Sequence, residues 1–322
     1  MTVLNKKSTK TGAVTGILSR ARGCMLGQLA GDSLGGLVEF QSPADIRQQY
    51  PDGVRKLIDG GTWDLIAGQP TDDSEMALML ARMLVDNNGY DPDKARRAYV
   101  FWLDSGPFSC GATVSGGLRG RVNPKSQANG AMMRISPLGI FGANYGLSQV
   151  ADWARQDARI THIHPVCVQT NALFTMAISH AVKTGINAYK LYKQVVDWAR
   201  DMHTDESIIH AINNAADSLP DFLHHQGWVL IAFQNALWQL VHAPNLEDAV
   251  VDTVMHGGDT DTNAAICGAL LGAVYGEKAI PAQWTDSILN CRPQAPVHVH
   301  HTRPECFWPV DAQELAEKLV RP

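Results

Sequence analysis

Residues 23–40 read GCMLGQLAGDSLGGLVEF and place glycines four residues apart, at Gly23, Gly27, Gly31 and Gly35. In an α-helix this spacing lines the glycines along one side, where a second backbone can approach closely. Each glycine costs a helix roughly 1 kcal/mol relative to alanine, so close packing or a ligand must outweigh propensity. Because Asp32 interrupts the apolar pattern, the segment predicts a buried helix in a globular core and not a membrane span.

Helical periodicity continues over most of the chain outside this segment. Residues 75–86 place Met76, Leu80 and Met83 on one helical face. The same period recurs over residues 171–183, 188–201, 227–242 and 263–275. Alternating β-branched runs are scarce and no polar linker interrupts the chain, so we expect one all-α domain.

The bulk composition excludes several classes of protein. The chain has 322 residues, 45% of them hydrophobic, and a formal net charge of -5, which fits a globular protein and disfavours a nucleic-acid partner. No window of about 20 residues is apolar and free of charge, so no transmembrane span is expected. The 6 cysteines form no CxxC pair, and no apolar segment follows the first lysines. We therefore expect a cytoplasmic protein with reduced thiols.

Residues 1–20 differ from the rest of the chain in composition. They carry Lys6, Lys7, Lys10 and Arg20, and no acidic residue precedes Asp32. Such a polar, basic segment is typical of a disordered tail. The alternative is a basic arm that docks on an acidic partner protein, in which case association would depend on salt.

Two short clusters of carboxylates and hydroxyls each precede an apolar helix. The first is TDDSE at residues 71–75, and the second is GGDTDTN at residues 257–263. A capping box formed by Asp72 and Glu75 would explain one acid per helix, but not adjacent acids at both places. A cation would relieve their repulsion, and an all-oxygen ligand set suits Mg²⁺, Mn²⁺ or Ca²⁺. The number of acids fits two ions.

Five segments together resemble the ADP-ribosylglycohydrolases, a family that includes the dinitrogenase reductase-activating glycohydrolase and the ADP-ribosylarginine hydrolases. They are residues 23–40, PTDDSEMAL (70–78), NGAMMRISPLG (129–139), TH-x-HP (161–165) and GGDTDTNAAICGALLGAVYG (257–276). The resemblance covers residues 21 to 320 in order, and it implies a catalytic domain over residues 21–322 preceded by the extension at residues 1–20. It implies a compact orthogonal all-α bundle with two Mg²⁺ or Mn²⁺ ions in a central cleft.

The resemblance also assigns roles to residues by position. The implied metal ligands are Thr71, Asp72, Asp73, Asp259, Asp261 and Thr262. Glu39 matches the family's acidic residue at the substrate, and Asn129, Gly130 and His162 match positions that line the ADP-ribose site. The turn Pro107–Gly111 supplies Ser109 and Gly111 as further substrate contacts. Ser109 stands where many arginine-type members carry an aspartate.

The implied reaction is metal-dependent hydrolysis of the N-glycosidic bond of an ADP-ribosylated protein, with arginine as the expected acceptor. Glu39 would act as acid and base or orient the substrate. Three alternatives remain. The chain could be an immunity protein that blocks an ADP-ribosyltransferase toxin through its N-terminal arm. It could hydrolyse O-linked ADP-ribose on serine. Cys110 could be a nucleophile paired with His162 or His164.

Overall fold

The computed structural model describes residues 4–294 and 299–321, with side chains described from residue 15 onward. These residues form an all-α structure in which β structure is limited to two isolated bridges. The helices are α1 (Leu4–Gly35), α2 (Pro43–Gln49), α3 (Asp72–Asn87), α4 (Pro92–Asp104), α5 (Ala112–Leu118), α6 (Ser136–Gly142), α7 (Leu147–Arg159), α8 (Pro165–Thr184), α9 (Ala188–Asp201), α10 (Glu206–Asn214), α11 (Val229–His242), α12 (Leu246–Met255), α13 (Thr260–Tyr275), α14 (Ala282–Asn290) and α15 (Ala312–Val320).

The glycine row of α1 packs directly against the backbone of α13. A Cβ built on Gly27 would lie 2.2 Å from the carbonyl oxygen of Gly268, and one built on Gly31 would lie 2.1 Å from that of Ala264. Gly23 meets Gly272 in the same way. The pairing runs antiparallel, since the partner number falls as the number in α1 rises. No side chain fits between the two helices, which is why the propensity cost of the glycines is tolerated.

This helix pair forms the centre of the bundle. The α13 helix also packs against α8, α11 and α12, and it is buried over nearly its whole length. The antiparallel crossing brings the C-terminal end of α1 beside the first residues of α13, where Gly35 meets Asp261. The glycine contacts therefore decide which two chain segments meet at the candidate site.

The five helices predicted from periodicity are confirmed and correspond to α3, α8, α9, α11 and α13, although α11 begins at Val229, later than predicted. Among the described residues, no helix is both long enough and apolar enough to cross a membrane. The side chains of Lys6, Lys7 and Lys10, on which the predicted basic arm depends, lie outside the described residues. Nearer the body, the Arg20 guanidinium donates a hydrogen bond of 2.9 Å to the carbonyl of Val182. The arm stays a prediction.

Candidate active site

Three chain segments converge at one end of the α1–α13 pair. The α3 helix is held there by Asp32, whose carboxylate accepts hydrogen bonds from the backbone N–H of Ser74 at 3.0 Å and the hydroxyl of Thr71 at 2.8 Å. The loop after α1 is tied to the α13 N-terminus, because the backbone N–H of Phe40 donates to the carbonyl of Gly258 at 2.8 Å. The two acidic clusters and Glu39 therefore meet in space.

The oxygen atoms of these segments form one compact group. Glu39, Asp259 and Asp261 each offer a carboxylate oxygen, and these oxygens lie within 4.8 Å of one another. On the α3 side, Asp73 Oδ2 lies 3.4 Å from both the Thr71 and the Thr262 hydroxyl oxygens. The structure thus brings together the residues of both clusters, although they are about 190 positions apart in sequence.

The capping box considered for the first cluster is wrong. Thr71, and not Asp72, is the N-cap residue of α3, and its side chain makes no capping hydrogen bond. Glu75 instead forms a two-pronged ion pair with Arg303, at 2.8 and 2.7 Å, and accepts from the indole of Trp102. The charge of Glu75 is therefore already compensated, whereas the charges of its acidic neighbours are not.

The uncompensated acids fit a divalent cation. Burial, followed by repulsion from Asp32 and Asp72, raises the pKa of Asp73 well above its ordinary value. Burial also raises the pKa of Asp261, with Glu39 and Asp73 adding to the shift. The Oδ1 atom of Asp73 is buried and has no hydrogen-bond partner among the described residues. Buried, unpaired carboxylate oxygens are expensive, and a cation would remove that cost.

Neutral side chains hold the carboxylates of Asp72 and Asp259 in place. Ser109 donates a hydrogen bond of 2.6 Å to Asp72 Oδ1, and the amide of Asn129 donates one of 2.7 Å to Asp259 Oδ2. Each leaves the second carboxylate oxygen of its acid for another partner. Ser109 and Asn129 therefore orient two of the six predicted metal ligands.

A cavity of about 490 Å³ opens above the acids. Phe40, Trp63 and Phe108 line it on one side, and the ring centroids of Trp63 and Phe108 lie 6.0 Å apart. The Trp63 indole also donates a hydrogen bond to Glu39 Oε2. Phe40 is 61% exposed and adopts a φ of 62°, which is unusual for a bulky residue and marks a constrained position at the rim.

The predicted substrate contacts all line the same cavity. These residues are Ser109, Gly111, Asn129, Gly130 and His162. Five of the six predicted metal ligands are likewise found in or directly below it, and Thr71 is fully buried beneath them. Their roles in binding metal and substrate stay predictions, but the structure places them around one space.

A sequence model of the ADP-ribosylglycohydrolase family matches residues 13–320. The chain belongs to this family. It is 31% identical over 281 residues to the ADP-ribosyl-[dinitrogen reductase] glycohydrolase of Rhodospirillum rubrum, with 84% of this chain and 90% of that protein covered. It is also 31% identical over 306 residues to a putative ADP-ribosyl glycohydrolase of Acanthamoeba polyphaga mimivirus, covering 85% and 92%.

A further relative agrees with this assignment, and a solved structure agrees with the fold. The chain is 27% identical over 288 residues to the ADP-ribosylarginine hydrolase Tri1 of Pseudomonas putida, with 84% of this chain and 74% of that protein covered. A solved structure described as an ADP-ribosylglycohydrolase-related protein complex superimposes with a TM-score of 0.76 at 23% identity, covering 95% of this chain and 98% of that one. The predicted all-α bundle of the ADP-ribosylglycohydrolase type is confirmed.

Cys110 is poorly suited to be the nucleophile of this ADP-ribosylglycohydrolase. Burial, with the nearby charge of Asp72, raises the pKa of its thiol to about 11, which keeps it protonated at neutral pH. The attacking form of a cysteine is the thiolate. The raised pKa of the thiol therefore disfavours the cysteine alternative.

Three important residues of this family member were not assigned a role from sequence. Asp32 fixes the α3 N-terminus, and its only signal was a carboxylate inside an otherwise apolar helix. Trp63 and Phe108 form the aromatic side of the cavity, but they come from irregular loops with no periodic signal. Their contribution depends on loop placement, which local sequence does not encode.

We expect the metal-free protein to melt at a higher temperature at pH 6.5 than at pH 8.0. Burial raises the pKa of Glu39 and of Asp32 to about 7, whereas unfolded carboxyl groups titrate at about 4. Between those values the folded state holds protons that the unfolded state has released, so stability falls as pH rises from about 4 and levels off once the pH has passed the folded-state value of about 7. His162, whose pKa is lowered, acts in the opposite direction, but it is a single group.

Thermal melts in EDTA at the two pH values measure this effect. Excess Mg²⁺ should flatten the dependence, because a bound cation compensates the ionised carboxylates. An identical pH slope with EDTA and with Mg²⁺ would show that the buried acids do not bind the ion.

Proposed function

We propose that this protein hydrolyses the N-glycosidic bond between ADP-ribose and a modified arginine side chain of a protein, with the help of bound divalent cations. The observation that carries the proposal is the meeting of two acidic helix N-termini and Glu39 at the floor of one cavity. Such a donor set is suited to the hydroxyl-rich ribose of an ADP-ribosylated protein.

The residues that would hold the cations are the six of the two clusters, Thr71, Asp72, Asp73, Asp259, Asp261 and Thr262. Magnesium is the expected ion and manganese the alternative, since all donors are oxygens. When bound, such ions orient hydroxyl ligands and stabilise negative charge on oxygen. Asp32 does not line the cavity, and both of its oxygens accept hydrogen bonds from Thr71 and Ser74.

Glu39 is the residue placed to move a proton. In the absence of a cation, burial raises its pKa to about 7, and a carboxyl group with such a pKa can both gain and lose a proton near neutral pH. The Trp63 indole fixes Oε2, and the Thr62 hydroxyl donates to the Glu39 carbonyl at 3.0 Å. We therefore assign Glu39 as the acid or base at the glycosidic bond. Glu39 also lies close enough to Asp259 and Asp261 for their carboxylate oxygens to surround one cation, with the two aspartates remaining as ligands when Glu39 is replaced.

The acceptor is inferred from the side of the cavity next to Glu39. The guanidinium of arginine is planar and cationic, and it binds well to aromatic faces, by about 0.5–2 kcal/mol. The aromatic rings of Trp63 and Phe108 line the cavity, although Phe108 already stacks on His301, whereas Ser109 is neutral and donates to Asp72. Relatives named ADP-ribosylarginine hydrolases support the same acceptor.

The function is tested by incubating the protein with an arginine-ADP-ribosylated protein and measuring free ADP-ribose. We expect release with Mg²⁺ and none with EDTA. Glu39→Gln should slow release by about 10²-fold or more, because one acid or base group commonly supplies about 10²–10⁴-fold. The same variant should still gain thermal stability on addition of Mg²⁺.

Two results would change the proposal. Wild-type turnover by Glu39→Gln would remove Glu39 from the chemistry. Faster release from a serine-ADP-ribosylated protein than from the arginine substrate, at equal concentrations, would replace the acceptor while leaving the hydrolase activity in place.

A further inference from the structure

A buried polar network lies behind the cavity wall and takes no part in the scheme above. Its centre is Arg134, which is fully buried and pairs with Asp157 at 3.1 Å through Nε. Tyr99 donates to Asp157 at 2.9 Å, and the Arg134 guanidinium lies 4.5 Å from the centroid of the Tyr99 ring. A buried ion pair is weak evidence for stability, so another role for this one is worth seeking.

The network reaches the cavity through Thr161 and His162. Arg134 Nη1 donates to the Thr161 hydroxyl oxygen at 2.9 Å, and that oxygen lies 2.8 Å from His162 Nδ1. Arginine only donates, so Thr161 must accept from it. The single hydroxyl hydrogen of Thr161 then has His162 Nδ1 as its acceptor, and no other acceptor for it is found among the described residues.

This direction of donation fixes the tautomer of His162. When Nδ1 accepts, the ring proton of the neutral imidazole is on Nε2. The ring is fully buried, yet Nε2 has no hydrogen-bond partner in the part of the chain that the structure describes. His162 lines the cavity beside Gly130, and a Cβ built on Gly130 would lie 3.5 Å from Nε2. The missing acceptor can therefore come from a molecule in the cavity.

We propose that Thr161 and Arg134 are positioning residues that hold His162 as the Nε2–H tautomer, so that it donates a hydrogen bond to an oxygen atom of the cavity ligand. His162 is then a fixed neutral donor and not an acid or base. That the ligand is an ADP-ribose rests on the function proposed above, whereas the tautomer does not.

The charges around the ring are consistent with a neutral imidazole. Burial, and then the positive charge of Arg134, lowers the pKa of His162 to about 3. Asp157 is the acid of the network, and it is paired with Arg134 and accepts a hydrogen bond from Tyr99. Thus no unpaired acid of this network faces the ring to favour its protonated form.

Nuclear magnetic resonance of protein with ¹⁵N-labelled histidine tests the tautomer directly. The His162 signals would be assigned by their absence in His162→Gln. We expect the Nε2–H pattern without ligand, with no titration between pH 5.5 and 8. An Nδ1–H pattern, or titration within that range, would overturn the proposal even if the enzyme hydrolyses ADP-ribosylarginine.

A matched pair of variants tests the part played by Thr161. Thr161→Val keeps the shape but removes the hydroxyl, and Thr161→Ser keeps the hydroxyl. In calorimetric titrations with ADP-ribose and Mg²⁺, we expect Thr161→Val to bind about tenfold more weakly and Thr161→Ser to bind as the wild type does. The valine variant should also lose the single tautomer pattern.

The outcomes separate this proposal from the proposed function. Wild-type affinity of a folded Thr161→Val variant would remove Thr161 from ligand positioning. If the wild type binds no ADP-ribose, the proposed function fails, and the histidine spectrum still decides whether the network fixes the ring. If Thr161→Val does not fold, the tautomer is decided by the histidine spectrum of the wild type, and the need for the hydroxyl is judged from whether Thr161→Ser keeps that spectrum and the affinity for ADP-ribose.

Discussion

Asp73→Asn is expected to reduce turnover by more than about 10³-fold and, at the same time, to raise the melting temperature of the metal-free protein. The loss of activity follows from removing one charged ligand at a site where bound cations would contribute several kcal/mol to catalysis. The gain in stability follows from burial. Asp73 lies among ionisable neighbours that raise its pKa, and its Oδ1 has no partner among the described residues.

The experiment compares melting in EDTA with melting in excess Mg²⁺, together with turnover in Mg²⁺. The melting temperature of the wild type should rise strongly on addition of Mg²⁺, whereas that of Asp73→Asn should rise little. Asp286→Asn, the same chemical change at an exposed position of α14, serves as the control and should alter neither quantity. Full activity of Asp73→Asn would exclude the proposed metal chemistry, and a lower melting point in EDTA would exclude the repulsion that underlies it.

Gly27→Ala is expected to destabilise the protein so strongly that little folded material forms. The new Cβ would lie 2.2 Å from the carbonyl oxygen of Gly268 and 2.8 Å from its carbon. Both atoms belong to the backbone of a buried helix, so no rotamer change can relieve the clash. Overpacking a core commonly costs about 1–3 kcal/mol, and a backbone obstacle costs more. Alanine is otherwise the better helix former, so propensity alone predicts the opposite sign.

Circular dichroism melts and the yield of soluble protein measure this effect. The control is Gly146→Ala, where a Cβ would meet no atom within 4 Å. We expect Gly146→Ala to melt close to the wild type. A Gly27→Ala variant with wild-type stability would show that α1 and α13 do not approach as closely as the structure indicates.

The helices were well predicted from the sequence because hydrophobic periodicity is a local property. Helix α9 spans Ala188–Asp201, the same residues as the predicted segment, and three other segments lie within observed helices. The fifth segment, 227–242, ends with α11 but begins before the first residue of that helix, Val229. The glycine row also predicted a close helix contact correctly. Its partner was missed, although Gly268, Gly272 and Gly276 show the same four-residue spacing. Spacing marks a contact surface but does not say which surface it meets.

The sequence indicated the acidic residues of the candidate site but not the hydrogen bonds and ion pairs that hold the surrounding side chains. Adjacent acids at two helix starts indicated a shared cation site because their repulsion has no local remedy. The roles of Glu75 and Asp32 were decided by distant partners, Arg303 for the first and the α3 N-terminus for the second. A carboxylate that caps a helix from another helix leaves no pattern in either segment.

The sequence by itself determined that this protein is helical, that α1 packs closely against a second backbone segment, and that two helices begin with acidic residues whose charges are not compensated locally. Only the tertiary structure decided that α1 meets α13 in antiparallel orientation, that Asp32 anchors α3, and that Trp63 supports Glu39. The reason is physical. Helix propensity and charge repulsion act between neighbours along the chain, whereas these three contacts depend on which buried surfaces exclude water together.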